Sequence, residues 1–143
     1  MARNVIKLKG DPTFNEEESA LEAIIPGHLV MITSTGVQKN TANAANVAPA
    51  FAMERSELGL GIDDAYAIGD KVLVGTFKPG ERVYALLASG QNVANGAYLT
   101  GNNAGLLTAT GVAADLRLAR ALEAVDTSGS APVAGTRIRV EIV

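Results

Sequence analysis

Cysteine and tryptophan are both missing from this 143-residue chain. Without cysteine there are no disulfides, no thiolate metal sites and no thiol nucleophile, and the redox compartment is left open. Aromatic residues make up only 4% of the chain, so the core has to be built from Val, Leu, Ile and Ala. The same scarcity argues against surfaces that stack sugars or bases. An excess of positive charge is also lacking. The formal net charge of −3 argues against nucleic acid as the main partner, because phosphate binding needs a basic surface. No apolar run approaches the roughly 20 residues that cross a bilayer. After Arg3, Lys7 and Lys9 come Asp11 and Glu16-Glu17-Glu18 rather than an apolar stretch, so no signal peptide is expected. These absences predict a soluble protein made in the cytoplasm, with no membrane partner.

What is present reads as β-structure. Val72-Leu73-Val74-Gly75-Thr76-Phe77 and Val83-Tyr84-Ala85-Leu86-Leu87 are β-rich runs bounded by turn residues. Lys78-Pro79-Gly80-Glu81 between them fits a type II turn, and a loose hairpin is expected there. Gly27, Gly69, Gly80 and Gly96 each stand three residues before an apolar strand residue, which marks four strand beginnings. Further strands are expected at Leu29–Thr33, Val37–Lys39 and Pro49–Met53, with a polar loop over residues 40–46 and a glycine-punctuated loop from Glu54 to Tyr66. Tyr98–Thr100 and Leu106–Thr108 flank a Gly/Asn turn and should form a hairpin. Residues 116–125 carry helix-favouring composition but also even-spaced leucines; in this β-rich context they are read as strand. Residues 126–135 form a loop. Ile138, Val140 and Ile142 alternate with Arg137, Arg139 and Glu141, the period of a half-buried strand.

The expected fold class is all-β: a small β-barrel or β-sandwich over residues 25–143, preceded by an extended N-terminal arm over residues 1–24. A length of 143 residues and 48% hydrophobic content fit one such domain. Val72, Val74, Val83, Leu87, Ile138, Val140 and Ile142 are its expected core. In the arm, Asn15 could cap a helical turn over Glu16–Glu18. Alternatively the arm frays, or reaches a neighbouring subunit, with Asn4 to Lys9 adding a strand to that sheet's edge. Arg3, Val5, Ile6, Lys7, Leu8, Lys9 and Phe14 are the candidate partner-facing residues.

Catalytic constellations are not evident. The single histidine, His28, falls where a strand begins and reads as a surface residue. Asp63-Asp64 would point to opposite sides of an extended segment, and no calcium-loop spacing accompanies them. Gly59-Leu60-Gly61 lacks the third glycine and the strand-to-helix context of a dinucleotide loop. No metal, no cofactor and no enzymatic activity are expected, which is the profile of a structural or interaction module.

The phrases GIDDAYAIGDKVLVGTFKPGERVYALLASGQNVANGAYLTG, AGLLTATG, ALEAVD and TRIRVEIV, with ARNVIKLKGDPTF at the start, resemble tailed-bacteriophage capsid decoration (cement) proteins. The resemblance covers most of the chain but consists of turn and strand phrases. It implies a β-barrel or sandwich on the outer face of the phage head in the virion. There it would bind the major capsid protein as a homo-oligomer, trimer or dimer, and stabilise the capsid. A phage tail or baseplate module, or a carbohydrate-binding domain, are the alternative readings.

Overall fold

The structure is a computed structural model describing residues 5–41, 48–110, 117–129 and 136–143. Its strands, in chain order, are β1 (Lys7–Lys9), β2 (Thr13–Asn15), β3 (Val30–Ile32), β4 (Val37–Lys39), β5 (Ala50–Ala52), β6 (Val74–Thr76), β7 (Arg82–Leu87), β8 (Asn92–Val93), β9 (Tyr98–Gly101), β10 (Leu107–Ala109), β11 (Ala119–Ala121), β12 (Val125–Asp126) and β13 (Thr136–Ile142). A 3-10 turn at Ser56–Leu58 interrupts the loop before β6, and the described residues contain no α-helix.

The alternating C-terminal segment forms the longest strand, β13. It pairs with β7 from Thr136↔Leu87 to Glu141↔Arg82. From β7 the hydrogen bonding continues through β10, β9 and β11 and returns to β13, which closes a five-stranded barrel. Alternation then decides what is inside. Val83, Ala85, Leu87, Leu99, Leu107, Ala119, Ala121, Ile138, Val140 and Ile142 are buried in one apolar cluster. All seven residues expected in the core are buried. Of the segment expected as strand, Ala119–Ala121 and Val125 are strand; Leu118, Ala119 and Ala121 are buried in the barrel cluster, whereas Leu122 is only partly buried.

A second β-unit packs against the barrel. The sheet β2-β6-β5 and the hairpin β3-β4 enclose Ala20, Ile24, Val30, Val37, Ala50, Ala52, Tyr66, Val72 and Val74. Strand β5 joins the two cores because successive residues point to opposite faces. Ala50 and Ala52 enter the smaller cluster, while Phe51 enters the barrel cluster, edge-on to Phe77 at 5.9 Å. The buried Tyr66 hydroxyl donates to the Met53 carbonyl at 2.6 Å and accepts from the Leu73 amide at 3.3 Å, tying loop to sheet.

Several expectations are corrected. The central hairpin is not formed: β6 pairs with β2 and β5, whereas β7 pairs with β1, β10 and β13. Its turn is nevertheless as read, with Gly80 at φ 91° and the Glu81 amide donating to the Lys78 carbonyl at 3.0 Å. Type II geometry splays the flanking strands, and here it passes the chain from one sheet to another. The same turn recurs at the other glycines of the phrase. Gly27, Gly69 and Gly96 have φ of 99°, 93° and 90°, and in each case the next amide bonds the carbonyl three residues earlier.

From Val5 onward the N-terminal segment is not a free arm. Ile6 is fully buried in the barrel cluster, and β1 pairs with β7 of its own chain, Lys7↔Val83 and Lys9↔Arg82. Residues 16–24 are extended rather than helical, with bridges Ser19↔Lys71, Ala20↔Val37 and Ile24↔Tyr66. A short helix is marginal alone, and pairing with existing strands satisfies the same backbone groups. Arg3, residues 42–46 of the polar loop, Leu116 and residues 130–135 lie outside the described residues.

Ile138→Ala should cost about 2–5 kcal/mol in urea unfolding, since the site sits between two filled strands. Gly96→Ala meets open space and should cost only the backbone strain of its positive φ, about 1–2 kcal/mol. Gly27→Ala should cost clearly more, because its new Cβ would run into Arg137 Nη1 and lie 3.2 Å from the Tyr84 carbonyl. Equal losses for the two glycine variants would contradict this packing.

Candidate partner-docking face

The residues singled out for chemistry fall apart in space. Asp64 caps its own turn, accepting the Gly61 amide at 2.7 Å, while Asp63 lies 3.7 Å from Arg137 Nη2 with its side chain almost wholly in solvent. No group of three or more His, Asp or Glu able to hold a metal occurs among the described residues. His28 is buried, not at the surface as read from its position. Its Nδ1 accepts the Ile25 amide at 2.9 Å, so the imidazole caps the Pro26-Gly27 turn. Burial, with Lys39 and Arg137 nearby, lowers its pKa to about 4, so at neutral pH the ring is uncharged.

Arg137 organises the adjoining surface. Its two terminal nitrogens donate to the carbonyls of Pro26 at 2.6 Å and Ile62 at 2.5 Å, and its guanidinium lies 5.9 Å from the Tyr84 ring centroid. The Pro26-Gly27 turn and the loop at Ile62 are thereby held over one half of the barrel's outer face, where Leu86 is buried.

The other half stays open. It holds a groove of about 190 Å³ lined by Leu8, Lys9, Arg82, Leu122 and Arg139. Ladder register explains the gathering. Glu141 stands opposite both Arg82 on β7 and Arg120 on β11, and its two oxygens lie 3.4 Å and 3.3 Å from those arginines. Arg139 Nε is 3.5 Å from Glu123, whose carboxylate also accepts the Arg139 amide at 2.9 Å. Along β1 the register slips between Lys7 and Lys9, so Leu8 and Lys9 together oppose Arg82. Such a bulge re-aims side chains, and here both residues reach the groove.

Of the expected partner-facing residues, the structure brings Leu8 and Lys9 together with Arg82, Arg139 and Leu122, which sequence reading passed over. Arg82 and Arg139 are visible in the sequence only as polar alternates within strands, and nothing there says that β1 lies beside them. Lys7 is exposed, and Val5 and Phe14 are 46% and 47% exposed, Phe14 on the separate sheet of β2. Ile6 is withdrawn from the set as a core residue. No protein-family model matches the chain, and no curated protein matches it in sequence.

The unfolded chain takes up the His28 proton near the ordinary pKa of 6.5, the folded protein only near 4. Stability should therefore be unaffected by this group above pH 6.5 and fall as pH drops towards 4, by up to roughly 3 kcal/mol. Between pH 6.5 and 5, before most carboxylates titrate, His28→Asn should flatten the slope of stability against pH. An unchanged slope would remove His28 as its source.

Proposed function

We propose that this chain is a structural virion protein of a tailed phage that binds the outer surface of the head. It would stabilise the capsid by bridging major capsid protein subunits as a homo-oligomer, with no catalysis and no cofactor of its own. The observation that carries this reading is where the surface chemistry lies. The barrel interior is filled by its own side chains, and recognition is left to the outside. There an N-terminal segment anchored through Ile6 presents Lys7 and Lys9 to solvent, Lys9 in the cationic groove, while Val5 and, on the separate sheet of β2, Phe14 are about half exposed. Mixed apolar and charged side chains on a rigid sheet suit binding to another protein's surface. Repetition around a symmetry axis turns modest contacts into firm attachment. The resemblance of the strand and turn phrases to capsid decoration proteins supplies the particular partner.

Virions separated into heads and tails should carry the chain on heads, and decorated heads should survive heating that ruptures stripped ones. Val5→Asp combined with Phe14→Asp should leave the unfolding midpoint nearly unchanged, since both side chains are about half exposed, and should weaken attachment. Recovery with tails, or identical rupture temperatures for stripped and decorated heads, would overturn the capsid-stabilising role.

A further inference from the structure

We infer that the open groove of β1, β7 and β13 is a docking site for an extended acidic protein segment carrying an apolar side chain between its carboxylates. This rests on the reading of the chain as a protein-binding module and names the chemistry of the partner. Size is the first constraint. At about 190 Å³ the groove is smaller than the roughly 300–1,000 Å³ of drug-sized ligand pockets, and suits one or two side chains of a larger partner. Leu8 and Leu122 give those side chains an apolar floor.

Charge is the second constraint. Three of the groove's five lining residues, Lys9, Arg82 and Arg139, are cationic and none is acidic, in a chain whose net charge is −3; Glu141 lies 3.4 Å from Arg82 and Glu123 3.5 Å from Arg139. One carboxylate, Glu141, is shared between two arginines, and Lys9 has no acidic partner among the described residues. Lys9 and Arg82 also stand opposite each other in the ladder, an arrangement of like charges that destabilises a sheet. An incoming pair of carboxylates would relieve that repulsion and complete the ion pairs.

The third observation is the bulge at Leu8 and Lys9. A regular register would place these neighbours on opposite faces, so the irregularity is what delivers an apolar and a cationic contact to one groove. Nucleic acid would satisfy the charges but not the paired leucines, and the chain's overall acidity opposes a polyphosphate.

The test is fluorescence anisotropy on the full chain, with a labelled, end-capped heptapeptide of alternating Glu and Leu. A matched peptide with Gln in place of Glu, and a single-stranded oligodeoxynucleotide, serve as controls. The Glu–Leu peptide should bind, more weakly as salt rises, and the Gln peptide should bind about tenfold more weakly or worse. Lys9→Glu should reduce binding by a similar factor; because Lys9 is exposed and stands opposite Arg82, the unfolding midpoint should not fall. Arg139→Gln provides a second variant with the same expectation. Equal binding of both peptides, no binding, tighter binding of the oligonucleotide, or indifference to both substitutions would overturn the inference. Self-association abolished by Lys9→Glu without peptide binding would likewise overturn it, in favour of a second copy. Heads that retain the Lys9→Glu protein at native occupancy would remove the groove but not the decoration role. Peptide binding without head binding would do the reverse.

Discussion

The pairing of β7 with β13 is the constraint on which the rest of the protein depends. Its register, Thr136↔Leu87 to Glu141↔Arg82, sets Val83, Ala85 and Leu87 beside Ile138, Val140 and Ile142 on the inner side. A slip of β13 by one residue would turn Ile138, Val140 and Ile142 to solvent and bring Arg137, Arg139 and Glu141 inward. Closure of the barrel rests on the same pair, since β7 meets β10 through the single register pair Leu107↔Leu87. The short contact leaves the other end of that β7 edge free, and β1 occupies it. The outer face inherits its charge pattern from the same register, because Glu141 can serve two arginines only while it lies between β7 and β11.

Much of this was legible in the sequence, for local reasons. Period-2 alternation declared β13 and its three buried residues without ambiguity. The Gly/Asn loop between β9 and β10 was readable because Asn103 and Gly105 supply positive φ of 68° and 80°. What local pattern could not give was partnership. Lys78 to Glu81 has the composition of a turn, but composition does not say whether the strands on either side pair with each other or with distant segments. Their true partners lie elsewhere, β2 and β5 for β6, β13 for β7. The same limit hid the groove. Leu8, Arg82, Leu122 and Arg139 are far apart in sequence, and only sheet topology makes them neighbours. His28 was misread for a related reason. Its place at a strand beginning suggested exposure, whereas an imidazole nitrogen can be buried when a turn amide needs an acceptor.

The anchored N-terminal segment changes the energetics of any encounter with a partner. A free arm would have to be ordered on binding, at about 1–2 kcal/mol of backbone entropy for each residue. For a segment of some two dozen residues that cost is on the order of 25–50 kcal/mol, far beyond what Val5, Leu8 and Phe14 could return by burial. In the folded protein β1 is already hydrogen-bonded to β7, Ile6 is already in the core, and Glu54 accepts the Ile6 amide at 3.0 Å. The ordering is met during folding and offset there by those contacts. Association then has only exposed side chains to immobilise, at about 0.5–1.5 kcal/mol each, besides the loss of overall motion. The apolar and cationic groups on this face are therefore held in place before a partner arrives. Its fit is decided by their fixed spacing rather than by the folding of a tail.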